Sequence, residues 1–144
     1  MNAPDVSLDH QGMEVLSPEE CWELIRAVPV GRIAFVDAGE PVILPVNHAA
    51  LGHQVVFRTY RGAMLHEALM NRSVAFEVDG FDPATRSGWS VLARGTARVP
   101  DDIEPLEALH LDAWADGTSR EDWVQVLVAE ITGRRIARQT PGSE

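Results

Sequence analysis

Hydrophobic and polar residues alternate along much of the chain, the pattern of β-strands that bury one face. Residues 73–79 are the clearest case, with Val, Phe and Val alternating against Ala, Glu and Asp. Strands are predicted at residues 30–36, 41–48, 54–59, 73–79, 89–99 and 123–132. Short turns join most of them, so the predicted fold is mainly β: a small six-stranded antiparallel barrel with flanking helices.

Helical patterns interrupt the strands in three places. The strongest begins at Ser17, a favourable N-cap residue, continues through Pro18 and two acidic residues, and ends before Pro29. A short helix is predicted at residues 64–70. A longer one is predicted from the cap at residues 100–102 to about Trp114.

Two residues inside predicted strands are expected to disturb the sheet. Pro45 cannot donate a ladder hydrogen bond, so its strand is expected to have a bulge or an open edge there. Such a break would leave backbone groups for a ligand. Gly95 is expected to bend the strand at residues 89–99.

Length and composition predict one soluble domain at residues 16–138, between a loose arm at residues 1–15 and a tail at residues 139–144. The net charge of −10 argues against binding to nucleic acid or to an anionic membrane. All 12 basic residues are Arg, which excludes mechanisms that need a Lys. The single cysteine, Cys21, and the absence of an apolar signal segment after Met1 predict a cytoplasmic protein.

A candidate anion site lies where the strand at residues 54–59 is followed by the short helix at residues 64–70. Arg58 and Thr59 offer a guanidinium and a hydroxyl, and the next helix offers backbone N–H groups. Together these groups could bind a terminal phosphate. The alternative is that Arg58 pairs with a surface carboxylate, of which this acidic chain has many.

A second candidate site is the start of the strand at residues 89–99. Trp89 offers an aromatic face and Ser90 a hydroxyl, which suit the edge of a flat heteroaromatic ring. The alternative is that Trp89 packs in the core or at a dimer interface. Metal and hydrolase chemistry find little support, because the His residues lack ligand spacing and Cys21 lies on an apolar helix face.

Taken together, these segments resemble the pyridoxamine 5′-phosphate oxidase-like family of flavin-binding split-barrel proteins, particularly its small bacterial flavin-nucleotide-binding branch. The resemblance spans residues 16–136, and the order and spacing of its short motifs make the joint signal strong. The motifs are Leu16-Ser17-Pro18-Glu19-Glu20-Cys21, Val30-Gly31-Arg32-Ile33-Ala34-Phe35, Pro45-Val46-Asn47, Phe57-Arg58-Thr59, Phe76-Glu77-Val78-Asp79, Gly88-Trp89-Ser90-Val91 and Thr132-Gly133-Arg134-Arg135-Ile136.

The resemblance implies a homodimer of split barrels with two cofactor sites between the subunits. Each site would hold flavin mononucleotide (FMN), although some relatives hold a deazaflavin or haem. The implied positions are the isoalloxazine edge for Val46 and Asn47, the phosphate for Arg58 and Thr59, the ribityl chain or ring for Glu77, and the side of the ring for Trp89 and Ser90.

The chain departs from the family pattern at the expected phosphate site. Where the family often has Gly-Ser-Lys-Leu, this chain has Gly62-Ala63-Met64-Leu65, so a hydroxyl and a cation are lost. A charge-assisted contact is typically worth about 1.5–3 kcal/mol. Met64 therefore predicts a cofactor affinity lower by roughly one or two orders of magnitude, unless Arg58 or Arg61 compensates.

Three functions follow from these features. The first is an FMN-dependent oxidoreductase that transfers hydride or electrons between a nicotinamide or small organic substrate and an acceptor. The second is a deazaflavin-dependent reductase. The third is a non-catalytic binding or sensing module with weakened flavin affinity. No catalytic side chain is assigned, because a flavin would itself carry the redox chemistry.

Overall fold

Antiparallel strand pairing closes most of the sheet into a barrel. The computed structural model describes Leu8 and residues 12–58, 67–111 and 123–136. The strands are β1 (Glu14–Val15), β2 (Val30–Asp37), β3 (Glu40–Leu51), β4 (Gln54–Arg58), β5 (Ser73–Asp82), β6 (Ser87–Arg98) and β7 (Trp123–Ile136). Their order is β1-β7-β4-β3-β2-β5-β6, and pairing of β6 with β7 closes the ring. The predicted six-stranded antiparallel barrel is confirmed, with β1 as an additional short strand.

The barrel is split because β7 changes partner along its length. Its first part, Trp123 to Leu127, pairs with β4, whereas Arg134 and Arg135 pair with β1 on the same side. On its other side β7 pairs with β6 along most of its length. Helix α1 (Pro18–Ala27) packs against β3, β6 and β7 beside this split, and its apolar face joins the core.

The start of α1 is a capping box, as the sequence predicts. The Ser17 hydroxyl accepts a hydrogen bond from the Glu20 N–H at 3.2 Å, and the Glu20 carboxylate accepts one from the Ser17 N–H at 3.2 Å. These bonds satisfy backbone donors that a helix start would otherwise leave unpaired. Cys21 is fully buried on the inner face of α1, where burial, and then the Glu20 charge, raise the pKa of its thiol. Cys21 is therefore a packed side chain, as predicted.

Strand β3 has an open edge along its first part. It pairs with β2 from Glu40 to Asn47, but with β4 only from His48 to Leu51. Within the described residues, the stretch that contains Pro45 is therefore paired on one side alone. The open edge expected from Pro45 is confirmed, since a strand with one partner tolerates a residue that lacks an N–H.

Gly95 lies at an irregularity in the pairing of β6 with β7. Arg94 pairs with Glu130, but Gly95 pairs with Val128, so Ala129 is an extra residue on β7. This is the arrangement of a β-bulge, which bends a strand and increases its twist. The irregularity therefore lies at Gly95, where a bend of β6 is predicted, and its extra residue belongs to the partner strand β7.

The prediction of a long helix after residue 102 is wrong. Helix α2 (Glu104–Glu107) has only four residues, and His110 adopts a left-handed backbone with φ of 51°. Packing overrides the helical pattern here: Leu106 is buried with Val56 and Trp123 in a second cluster, outside the main core. Trp114 lies outside the described residues. Of the short helix predicted at residues 64–70, residues 67–69 are described and are helical.

None of the helices among the described residues has the length and apolar character needed to cross a membrane.

Candidate ligand site on the outer face of the barrel

Polar side chains of neighbouring strands meet on the outer face of the barrel. Arg32 of β2 lies opposite Glu77 of β5 on one side and opposite Pro45 of β3 on the other. Because side chains alternate along a strand, the adjacent Ile33 and Phe76 point inward and are fully buried. The buried residues thus fix the register that brings Arg32 to Glu77.

Arg32 holds two carboxylates at once. Its Nη1 donates to Glu77 Oε1 at 3.2 Å and to Asp79 Oδ2 at 3.0 Å. The three side chains are 47%, 36% and 40% exposed, respectively, so a ligand on this face can reach them. Both bonds use Nη1 of Arg32. Within the described part of the chain, its Nη2 and Nε have no protein acceptor, so these two donors are available to solvent or to a ligand. We call Arg32, Glu77 and Asp79 the outer-face triad.

The triad alters the acidity of one of its members. Partial burial is the main cause that raises the pKa of Glu77 to about 7, followed by the hydrogen bond and negative charge of Asp79, while Arg32 acts in the opposite direction. Two carboxylates so close together favour a state in which one proton is held between them. The charge of this face therefore changes near neutral pH.

Three of the predicted site residues lie on this face. Glu77 belongs to the triad, Ser90 of β6 is exposed opposite Asp79, and Asn47 lies on β3 two residues from Pro45. Val46 points the other way and is 4% exposed within the core. Its backbone, rather than its side chain, lies along the open edge of β3.

Trp89 points to the face opposite Ser90. Its indole lies across its cross-strand partner Gly80, where an added Cβ would be 2.6 Å from Trp89 Nε1. A groove of about 500 Å³ beside it is lined by Phe81, Arg135 and Ile136 among others. Trp89 is half-buried and packs against the main core. These contacts match the alternative given from the sequence, in which Trp89 packs in the core.

Arg58 lies on β4, two strands away from Arg32. Its Nη1 donates to the Leu111 backbone oxygen at 3.3 Å, and its guanidinium carbon lies 5.4 Å from the centre of the Trp123 ring. These contacts attach Arg58 to the second cluster. The other residues predicted at the phosphate, Thr59, Met64 and Leu65, lie outside the described residues.

The outer face continues from the triad into an apolar groove of about 600 Å³. Ala34 and Ala75 lie on its floor, two residues from Arg32 and Glu77 along their strands. Val36 and Ile43 line it with 59% and 66% of their surfaces exposed. Exposed apolar residues that adjoin one another in this way are typical of an interaction surface.

Sequence reasoning missed Arg32 as a functional residue and gave Asp79 no role. Both residues occur in segments that alternate polar and apolar residues, which places them on the polar face. Their meeting depends on the pairing of β2 with β5, two strands that start 43 residues apart in the chain, at Val30 and Ser73. Alternation within one strand does not reveal a partner so distant in the chain.

A buried histidine lies behind this face. His48 is 5% exposed, its Nε2 donates to the Ile25 backbone oxygen at 2.8 Å, and its ring meets the Phe76 ring edge-on at 4.8 Å. Among the described residues its Nδ1 has no hydrogen-bond partner. Burial is the main cause that lowers the pKa of His48, against the opposing effect of the Ile25 bond. The neutral ring therefore fits this site, and the charged ring does not.

This arrangement predicts a loss of stability in acid that depends on His48. The pKa of His48 is lower in the folded protein than in the unfolded chain. As the pH falls below about 6.5, the unfolded chain therefore binds more protons than the folded protein. The stability that His48 contributes is thus present above that pH. Urea denaturation at several pH values is expected to show a steeper acid loss for the wild type than for His48→Gln, whose amide can still donate to Ile25.

The exposed His53 provides the control for this measurement, since His53→Gln also removes an imidazole. Glu77, whose raised pKa acts in the opposite direction, is present in all three proteins. Equal pH dependence in the wild type and His48→Gln would contradict the assignment.

The barrel and its split beside α1 define the class of split-barrel proteins. The family described as pyridoxamine 5′-phosphate oxidase matches residues 17–135, and the chain belongs to this family. The uncharacterized protein Rv0080 of Mycobacterium tuberculosis is 36% identical over 129 residues, which are 84% of this chain and 84% of that protein.

Two solved structures illustrate the similarity. The FAD binding protein of Mycobacterium smegmatis is 35% identical, with a TM-score of 0.68, over 87% of this chain and 99% of that one. The protein DIP1874 of Corynebacterium diphtheriae, of unknown function, is 27% identical, with a TM-score of 0.66, over 87% of this chain and 98% of that one.

Proposed function

We propose that this chain is an FMN-binding oxidoreductase that transfers hydride or electrons between a nicotinamide or small organic substrate and an acceptor. The observation that carries the proposal is the outer-face triad beside the open edge of β3, in a chain of this family. The 35% identity to an FAD binding protein supports a flavin nucleotide as the ligand.

The chemistry of the outer face suits one end of a flavin. The pyrimidine edge of an isoalloxazine ring has carbonyl acceptors and an N–H donor, so it needs both kinds of partner. Arg32 donates, the carboxylates of Glu77 and Asp79 accept, and Asn47 has an amide that does either. When bound, the flavin would supply the redox chemistry, while these side chains bind and orient it.

We place the phosphate end at Arg58, together with Thr59, Met64 and Leu65. Trp123 and the Leu111 carbonyl already hold the Arg58 guanidinium, so little side-chain entropy remains to be lost on binding. Arg58 and Arg32 lie on strands separated by two strand spacings, about 10 Å. A nucleotide that extends along the open edge of β3 would reach from one to the other.

We further propose that a second copy of this chain covers the outer face and that the cofactor lies between the two copies. The apolar groove with exposed Val36 and Ile43 adjoins the triad, so one contact would bury both. Sedimentation of the purified chain tests the assembly, and a monomer at all concentrations would contradict it.

The direct test is titration of the purified protein with FMN, followed by the quenching of flavin fluorescence. Arg32→Ala is expected to weaken binding about tenfold, because a hydrogen bond to a charged group is lost. Arg26→Ala is the matched control, since it removes an exposed Arg from α1, and it is expected to leave the affinity unchanged. Absence of binding, or equal effects of the two variants, would contradict the proposal.

Parallel titrations with FAD and a deazaflavin distinguish the alternatives. FAD has support from the Mycobacterium smegmatis relative. If a flavin binds but is not reduced by a nicotinamide or other donor, the chain is a binding or sensing module rather than an oxidoreductase.

A further inference from the structure

The outer-face triad has an excess of negative charge. Its single guanidinium faces two carboxylates, so the group carries a net charge of −1 when Glu77 and Asp79 are both ionised. A ligand group on this face that accepts a hydrogen bond from Arg32, such as a carbonyl of the flavin ring edge, would compete with these carboxylates for Arg32. Its binding would be favoured if the carboxylates together lost one negative charge.

Other charged groups around the triad are already engaged with the protein. Across β6, Leu92 lies opposite Glu77 and Ser90 opposite Asp79, and neither is charged. Beyond Ser90, Arg134 of β7 donates to the Gly133 oxygen at 2.9 Å.

Besides Arg134, the neighbouring rows add one ion pair. Arg94 of β6 pairs with Glu130 of β7 at 3.9 Å. On β3 the neighbours are Pro45, opposite Arg32, and Asn47. Among the described residues, Arg32 is the cation that contacts both triad carboxylates.

We propose that Arg32, Glu77 and Asp79 couple the binding of a ligand that accepts a hydrogen bond from Arg32 to the uptake of one proton. The ligand takes Arg32 as its partner, and Glu77 and Asp79 then share a proton in place of the guanidinium. This inference rests on the proposed function for the identity of the ligand, a flavin nucleotide. The exchange moves a proton between solvent and the carboxylates, and no covalent bond is formed or broken.

The direction of the pH effect follows from the charges. Above the pKa of Glu77, about 7, both carboxylates are ionised and retain Arg32. Below it, one negative charge is lost and Arg32 is held less strongly. The release of Arg32 favours the ligand at lower pH. By linkage, a ligand bound to Arg32 raises the proton affinity of the carboxylates, so binding takes up a proton.

Calorimetric titration with FMN, in two buffers of different ionisation enthalpy, measures this uptake directly. Between about pH 6 and pH 8, the affinity of the wild type for FMN is expected to fall about tenfold relative to that of Glu77→Gln. Proton uptake by the triad is expected only in the wild type. The comparison between proteins is required because the phosphate of FMN itself titrates with a pKa of about 6.

Glu130→Gln is the matched control, since it replaces another outer-face carboxylate that pairs with an Arg, and it is expected to behave as the wild type. FMN binding with the same pH dependence in the wild type and Glu77→Gln would overturn the coupling but leave the proposed function intact. Absence of FMN binding at every pH would overturn the proposed function. The coupling would then be decided with inorganic pyrophosphate, and either no binding of pyrophosphate or binding without proton uptake would overturn it.

Discussion

Gly95→Ala is expected to destabilise the protein by at least about 3 kcal/mol, because the added methyl group would enter occupied space. An added Cβ would lie 1.9 Å from the Leu127 backbone oxygen and 3.0 Å from Val128 Cα. These atoms belong to β7 at the bulge, so no side-chain rotation relieves the contact. With a typical domain stability of about 5–15 kcal/mol, the loss is a large part of the total. The midpoint of urea denaturation measures it.

Gly39→Ala separates this steric effect from the ordinary cost of replacing a glycine. Gly39 lies in the turn between β2 and β3 with φ of 81°, and an added Cβ would meet no atom within 4 Å. Replacing Gly39 by Ala is expected to lower the free energy of unfolding by about 1–2 kcal/mol through backbone strain alone. An equal or smaller loss for Gly95→Ala would show that β7 moves to accommodate the methyl group, contrary to the expectation.

Local rules predict the barrel because its strands depend on properties visible within each segment. Alternation identifies the strands, Pro45 identifies the open edge of β3, and Gly95 identifies the bulge. The same reasoning fails after residue 102. There Leu106 packs with Trp123, a residue distant in the chain, and the helix ends at Glu107.

The candidate site is harder to predict because it depends on strand register. Trp89 and Ser90 are adjacent in sequence and were predicted at one ring, yet the pleat directs their side chains to opposite faces. Glu77 was found through the family resemblance. Its partner Arg32 becomes evident only when β2 pairs with β5.

Core packing and the outer-face triad are connected through Gly31. An added Cβ at Gly31 would lie 2.2 Å from Phe76 Cζ and 3.0 Å from the Glu77 backbone oxygen. Phe76 is fully buried against His48, so its ring has little space to move. Gly31→Ala is therefore expected to cost about 2–3 kcal/mol of stability, measured by urea denaturation.

The partner substitution Phe76→Leu tests whether this ring is the cause. Phe76→Leu alone is expected to destabilise the protein by removing buried surface, but it also opens space beneath Gly31. The double variant is then expected to be more stable than the sum of the two losses predicts, by about 1 kcal/mol. Simple additivity would mean that the Glu77 backbone, rather than the Phe76 ring, opposes the methyl group. In that case Gly31→Ala should also reduce the pH dependence of ligand binding, because the shift would reach the triad itself.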